Sequence, residues 1–248
     1  MRLQRHYRMK LAARAVLALL CAGAVSTSAL AEPPMGSRLG SRTRDAGTKV
    51  SEEASARQAH GIAACMVRSR QPYVERMLGA ADKSAMEKAH YLIWNNLTCL
   101  PDDGDNGFVE GHSVSWSTDL MRGFLAEELL RRRRTEVGRL PALTFRQGRY
   151  QRPWFGLTGR SETVDEMGAC LSDTAPVELT ALMATTVYTA EEKTAFAALI
   201  PMMGKCLVVG TKLTGNRQSL RAAFADALYQ RLINPAASTP TLAETAKK

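Results

Sequence analysis

Residues 168–174 read GACLSDT, and residues 63–69, which lie 105 positions earlier, read AACMVRS. Each stretch has a cysteine that follows two small residues and precedes a large apolar one. The next cysteine after each stretch repeats the pattern at a spacing of 107, since Cys99-Leu100 matches Cys206-Leu207. Matches that keep their order along the chain predict that one unit was duplicated in tandem.

Capping sequences occur at matched positions in the two halves. Ser or Thr followed three residues later by Glu is a capping box, in which the hydroxyl and the carboxylate satisfy amides of the first helical turn. The sequence has such a pair at Ser84 and Glu87 and again at Thr189 and Glu192. We therefore expect a helix to begin at the same point in both halves, and TVDE (163–166) predicts one further start.

Apolar residues recur at steps of three and four, which is typical of helices with one buried face. LMRGFLAEELL (120–130) resembles SLRAAFADALY (219–229), with Arg122 matched to Arg221. Besides the two helices that follow Ser84 and Thr189, helices are predicted over about 52–69, 72–79, 118–134, 163–172, 176–185 and 217–233. The expected fold is all-α, with two tandem homologous units of about three to four helices each.

Composition completes this organisation. The segments on either side of the helical region are rich in small residues, proline and charge, which is typical of chain without a core. The chain is expected to divide into a signal peptide at 1–31, a flexible lead at 32–50, a helical unit at 51–134, an arginine and aromatic linker at 135–160, a second helical unit at 161–234 and a disordered tail at 235–248.

The first 31 residues have the three parts of a secretory signal. A basic start, MRLQRHYRMK, precedes an apolar run of eleven residues at 15–25, and Ala29-Leu30-Ala31 supplies small residues for cleavage. Eleven residues are too few to cross a bilayer core, which needs about 20. We expect cleavage after Ala31 and a periplasmic or secreted protein with no transmembrane segment in the mature chain. Cleavage removes five basic residues and lowers the formal charge from +9 to +4.

Four cysteines remain after export, and an even number in an exported protein indicates disulfides. Spacing alone allows three pairings. The duplication favours one bridge in each unit, Cys65–Cys99 and Cys170–Cys206. Each bridge would close a loop of about 35 residues, which stabilises a fold by roughly 3–4 kcal/mol. Because zinc sites usually have close pairs such as C-x2-C, which are missing, we predict no metal site, and no motif indicates a cofactor.

Common catalytic motifs do not fit this sequence. His60, His90 and His112 have no metal-binding spacing, and we expect structural roles for the first two. GHSVSW around His112 differs from the G-x-S-x-G nucleophile motif. The acidic loop at 101–110 fails the calcium-loop pattern in the frames that begin at Asp102 and at Asp103, so a solvated turn is expected there.

The segment from 120 to 160 is strongly basic, with ten arginines and three glutamates. Arginine matches the geometry of phosphate and carboxylate, and aromatic rings can stack on a ligand. The anion-binding candidates are Arg131, Arg132, Arg133, Arg134, Arg149, Arg152 and Trp154. A structural alternative is that the arginines complete a helix end and the aromatic residues hold the linker in a groove between the units.

The sequence therefore favours an exported, non-enzymatic binding or cell-envelope-associated protein. Its expected partner is an anionic polymer, a lipid headgroup or an acidic protein. Nucleic acid is the least favoured partner, because we expect the protein outside the cytoplasm. The alternative is a periplasmic hydrolase with its site in the cleft between the two units, using His90 or His112.

Overall fold

The computed structural model describes most of the helical part of the chain. The described residues are 40–43, 51–95, 99, 112–115, 117–148, 150–207, 210, 211, 213 and 215–235. They belong to one unit, Met35–Lys248. The predicted signal peptide, the acidic loop at 101–110 and the tail from residue 236 lie outside the described residues.

Eight α-helices account for most of the described residues, and this confirms the all-α class. In chain order the elements are β1 (Gly40–Thr43), α1 (Glu52–Leu78), α2 (Lys83–Trp94), β2 (His112–Ser115), α3 (Thr118–Arg132), α4 (Arg134–Val137), a 3₁₀ helix (Pro153–Leu157), α5 (Glu162–Thr174), α6 (Pro176–Met183), α7 (Ala190–Cys206) and α8 (Arg217–Ile233).

The helix α1 joins two helices that the sequence analysis predicts separately. It runs through Arg70, whose backbone leaves the helical region at φ −135° and ψ 25°, and Pro72 follows inside the helix. Proline removes a backbone donor and crowds the preceding turn, so it kinks a helix that packing holds together. The predicted break is a kink.

The start of α7 is confirmed. Thr189 is the N-cap, and its hydroxyl accepts a hydrogen bond from the Glu192 amide at 3.3 Å. The Glu192 carboxylate accepts from the amide of Tyr188, one residue before the cap, at 2.9 Å. Two otherwise unpaired amides are thereby satisfied, as a capping sequence requires.

Two other predicted caps are wrong by two residues. Asp82 caps α2 in place of Ser84, and Ser161 caps α5 in place of Thr163. Asp and Ser are both strong N-cap residues, and each lies upstream of the residue chosen from the capping pattern. The corrected cap of α2 lies 107 positions before Thr189, which is also the spacing of Cys99 and Cys206.

A short antiparallel ladder joins β1 to β2, with Gly40 opposite Ser115 and Thr43 opposite His112. β1 lies within the segment 32–50 that the sequence analysis expects to be a flexible lead. No alternation of apolar and polar residues announces either strand.

The helices α3 and α8 pack against each other at the centre of the fold. α1 packs against α3, and α2 packs against α1. α5 and α6 pack against α8, and α7 packs against α5 and α6. One hydrophobic cluster includes side chains from both predicted units, among them the fully buried Phe124 and Phe224.

Both predicted disulfides are present. Cys65 in α1 is bonded to Cys99, and Cys170 in α5 is bonded to Cys206 at the end of α7. These bonds are compatible with an extracellular or otherwise oxidising compartment. Within the described ranges, no helix combines the length and the apolar character that crossing a membrane requires.

Candidate functional site

The site is organised by the crossing of α3 and α8 at Gly123 and Ala222. A Cβ atom added to Gly123 would lie 2.3 Å from both the Cα and the Cβ of Ala222. Interiors are packed too densely to absorb such an overlap, so glycine permits this approach. The two residues are 99 positions apart, which is the spacing that matches LMRGFLAEELL to SLRAAFADALY.

Buried ion pairs are exchanged across this crossing. Arg122 of α3 donates to both carboxylate oxygens of Asp226 in α8, at 3.0 and 3.2 Å. Arg221 of α8 donates to both carboxylate oxygens of Glu127 in α3, at 2.8 Å each. The arginines are 99 positions apart and so are the acids. This is the reciprocity that a twofold axis produces between two subunits.

Each buried carboxylate has further donors. Asp226 also accepts from Arg160 at 2.6 Å. Glu127 also accepts from Arg131 at 2.6 Å, and Nδ1 of His60 lies 3.8 Å from its carboxylate. Several cations therefore surround each acid, so neither acid is left as an uncompensated buried charge.

These surroundings shift the pKa values of the acids. Burial alone would raise the pKa of Glu127, but the guanidinium groups of Arg221 and Arg131 outweigh it, and the pKa lies below its ordinary value. Burial is likewise outweighed at Asp226 by Arg122 and Arg160, which lower the pKa of that carboxyl. Both acids are therefore ionised at neutral pH.

His60 belongs to this buried network. Its ring lies 4.3 Å from the Phe124 ring, centroid to centroid. Burial lowers the pKa of His60 against the opposing effect of Glu127. The imidazole is therefore neutral at neutral pH. This agrees with the structural role that the sequence analysis expects.

A pocket of about 280 Å³ opens where the end of α3 and α4 meet the end of α6. Leu130, Val137 and Met183 give it an apolar wall, and each of them is almost fully buried. Arg131 and Arg134 also line it, together with threonines of α6 and of the turn that follows. The pocket thus combines cations, hydroxyl groups and hydrocarbon.

Arg131 is held in place at the edge of this pocket. Its Nε donates to the carbonyl of Met183 at 3.2 Å, and its Nη2 donates to Glu127 and to the carbonyl of Thr185. Its side chain is still 40% exposed. Thr185 also accepts from Arg221, through its hydroxyl and its carbonyl, so it joins the pocket to the buried network.

Arg134 differs from its neighbours. It is exposed and lines the pocket. Among the described residues, its guanidinium has no hydrogen-bond or carboxylate partner. Its guanidinium therefore keeps its donors for water or for a ligand.

The other candidate arginines of the sequence analysis have partners in the chain. Arg132 lies 3.4 Å from a carboxylate oxygen of Glu128, and Arg133 lies 2.6 Å from one of Glu136. Arg152 contacts Asp173 at 2.8 Å. Arg149 lies outside the described residues.

Arg152 and Trp154 are both about nine-tenths buried. Trp154 packs in a small cluster with Tyr150 and the disulfide-bonded Cys170. Its ring also meets the Phe155 ring edge to face. Apart from these aromatic residues, the members of the cluster lie in α5, α7 and α8, all in the second predicted unit, so this part of the linker packs on that unit and not in a groove between the two units. Tyr150 and Trp154 therefore belong to the protein interior, whereas Phe145 is exposed.

The catalytic alternative gains no support from the placement of the histidines. Nε2 of His90 accepts from the Trp94 indole at 2.8 Å on α2. His112 lies in β2, and no side chain is described there. The described residues that line the pocket include no histidine and no carboxylate, so the acid–base pair of a hydrolase is not assembled in it.

Sequence reasoning missed three features of this site: the close crossing at Gly123, the reciprocal buried ion pairs, and the pocket. The matched helices of the sequence analysis already contain Gly123, Glu127 and Asp226, and the spacing of 99 could have linked the two acids. The pocket has no such signal, because it depends on contacts between Arg131 and residues more than fifty positions away.

The sequence matches no family model, and its comparison with curated proteins and with solved structures found no match.

Proposed function

We propose that this chain is an exported, non-enzymatic binding protein of the cell envelope that holds an anionic partner. The contact is made by Arg131, Arg132 and Arg134, here called the arginine corner. The observation that carries this proposal is Arg134, which is exposed beside a pocket and whose guanidinium has no partner among the described residues.

The exposure of the corner separates it from the rest of the basic segment. The side chains of Arg131 and Arg132 are 40% and 36% exposed. Exposed ion pairs such as Arg132–Glu128 contribute only about 0–1 kcal/mol, so a ligand can compete for this arginine. Arg152 and Arg160 are instead buried against aspartates and serve the fold.

Export is supported by the disulfides and by the sequence of residues 1–31. The mature chain would begin at Glu32 and carry a small positive charge of +4, concentrated in the segment that holds the corner. A periplasmic or secreted location follows from this proposal.

A tandem origin of the two halves belongs to the same proposal. The reciprocal pairs Arg122–Asp226 and Arg221–Glu127 support it, as does the contact of Gly123 with Ala222. In an ancestral unit, each arginine would have bonded the acid of a second copy, as in a twofold dimer.

Binding to polyanions tests the proposed function. Poly-glutamate, polyphosphate and vesicles of anionic phospholipid represent an acidic protein, an anionic polymer and a lipid headgroup. We expect the mature protein to bind at least one of them, with affinity that falls as salt rises. Each corner arginine should contribute about 1 kcal/mol, or roughly fivefold in affinity.

The variants are Arg132→Gln with Arg134→Gln, and the control is Arg146→Gln, an exposed arginine of the same basic segment. The double variant should bind at least tenfold more weakly, while the control stays close to wild type. Equal binding by the double variant, or no binding of any probe by the wild type, contradicts the proposed function.

A further inference from the structure

The hydrogen bond that holds Arg131 beside this pocket has a counterpart in the other half of the fold. Residues 131 and 230 are matched at the spacing of 99, and residues 183 and 78 are matched at 105. Nε of Arg131 donates to the carbonyl of Met183 at 3.2 Å. Nε2 of Gln230 donates to the carbonyl of Leu78 at 2.6 Å. In both halves, therefore, a side chain at or near the end of a closing helix (α3 or α8) donates to the last carbonyl of an earlier helix (α6 or α1).

The space beyond this anchor differs between the halves. Arg134 is matched to Ile233, and Ala184 to Gly79. Cδ1 of Ile233 lies 3.7 Å from the place that a Cβ on Gly79 would occupy, so hydrocarbon packs over the glycine there. At the first corner, Arg134 and Ala184 are both exposed and a pocket is open between them. The first corner therefore has an open cationic pocket at the position where, in the matched site, Ile233 packs over Gly79.

The charges around the pocket favour an anion. Glu127 and Glu192 are the two buried acids of the adjoining network. Arg131 and Arg221 contact Glu127, and Arg221 and Arg217 contact Glu192. Three guanidinium groups thus contact two carboxylates, and Arg134, which contacts neither, brings the excess to two positive charges.

The shape and lining of the pocket restrict the anion. Its volume of about 280 Å³ lies just below the range of roughly 300–1,000 Å³ that holds drug-sized ligands. Leu130, Val137 and Met183 form an apolar floor and are at most 3% exposed, so most of the hydrocarbon that a ligand can contact belongs to the exposed Ala184 and to the stems of Arg131 and Arg134.

We propose that this pocket binds a small organic anion in which one carboxylate or phosphate monoester group is joined to a short hydrocarbon chain. The inference rests on the proposed function, because it assigns the arginine corner a ligand. Arg134 and the remaining donors of Arg131 bind the anionic group, and Ala184 and the stems of the two arginines contact the short hydrocarbon chain. Arg131 is already fixed by three hydrogen bonds, so little side-chain freedom is lost when the ligand binds.

Titration of the mature protein with four probes tests this inference. Hexanoate and hexyl phosphate have both required parts and separate the two sources of the anion. Hexanamide keeps the chain without the charge, and acetate keeps the charge without the chain. We expect hexanoate, hexyl phosphate or both to bind at least tenfold more tightly than hexanamide and acetate, by isothermal titration or chemical-shift changes.

The variant Arg134→Gln should weaken binding of the favoured probe by roughly tenfold or more, while Arg146→Gln leaves it unchanged. Circular dichroism of both variants confirms that they are folded. An affinity for the favoured probe that equals the affinity for hexanamide or for acetate, or an unchanged Arg134→Gln variant, overturns the inference. Binding of a polyanion without binding of hexanoate or hexyl phosphate also overturns it, while the proposed function stands. Binding of hexanoate without any polyanion overturns the proposed function as stated and retains the pocket.

Discussion

Gly123 is the residue on which the close approach of α3 and α8 depends. Gly123→Ala places a methyl group 2.3 Å from Ala222, so the helices must separate. Overpacking of this kind costs about 1–3 kcal/mol or more. Urea unfolding should show this loss in the free energy of unfolding.

Gly204→Ala is the matched control for this prediction. Gly204 lies in α7, and an added Cβ would meet no atom within 4 Å. Alanine is a better helix former than glycine by about 1 kcal/mol, so this variant should be more stable than wild type. Similar effects of the two substitutions would show that α3 and α8 do not cross as described.

Asp226 is the acid that binds two buried arginines, Arg122 and Arg160. Asp226→Asn removes the charge and leaves both guanidinium groups short of a partner, which should cost about 3–5 kcal/mol. Glu53→Gln, in the half-exposed pair with Arg57, should cost at most about 1 kcal/mol. Denaturant unfolding measures both, and a small effect at Asp226 would rule out a network that stabilises the crossing.

His60 should make stability depend on pH near neutrality. Its pKa in the folded protein lies below 6.5, so on acidification the unfolded chain takes up a proton first. The stability that neutral His60 provides is present above about pH 6.5 and is lost as pH falls toward its folded pKa. Between pH 7.5 and 5.5, His60→Gln should therefore lose less unfolding free energy than wild type.

The comparison of slopes in this experiment separates titration from packing. Loss of the ring on Phe124 lowers stability at every pH and leaves the slope alone. His90, whose pKa is also lowered by burial, contributes equally to both proteins. Parallel pH profiles for wild type and His60→Gln would contradict the prediction.

Among the secondary-structure elements, two helices are joined by a disulfide. The bond Cys170–Cys206 joins α5 to α7 across 36 positions, and Cys170 is fully buried. Replacing both cysteines with alanine should lower the free energy of unfolding by roughly 3–4 kcal/mol, because the unfolded chain regains the entropy of an open loop. Thermal or urea unfolding checks this, and an unchanged stability would mean that the bond does not constrain the unfolded chain.

The helices show which local signals a sequence carries. Periodicity predicts the closing helices α3 and α8 to within two residues, and Asn234 is the C-cap of α8. The N-cap of α2 is more difficult to predict, because Asp82 and Ser84 lie two residues apart and both residue types are favoured at this position. The sequence around Arg70 and Pro72 predicts a break between two helices. The helix continues through a kink, because its packing along α3 depends on residues far away in the chain.

For the whole molecule, the sequence predicts the cysteine pairing, because internal matches relate positions far apart in the chain. It does not predict which arginine side chains are exposed. Arg134 and Arg152 look alike in sequence, yet one is exposed and the other is buried against Asp173. Such differences arise from how the linker packs on α5 and α8.

The central claim is that an exported, oxidised chain holds a small anion at Arg134. Native mass spectrometry tests it most directly, on protein purified without reductant from its own compartment, as wild type and as Arg134→Ile, the residue of the matched site. We expect both to begin at Glu32 and contain two disulfides, and a small anionic ligand to accompany the wild type alone. Free thiols, or the same ligand on both proteins, would contradict the claim.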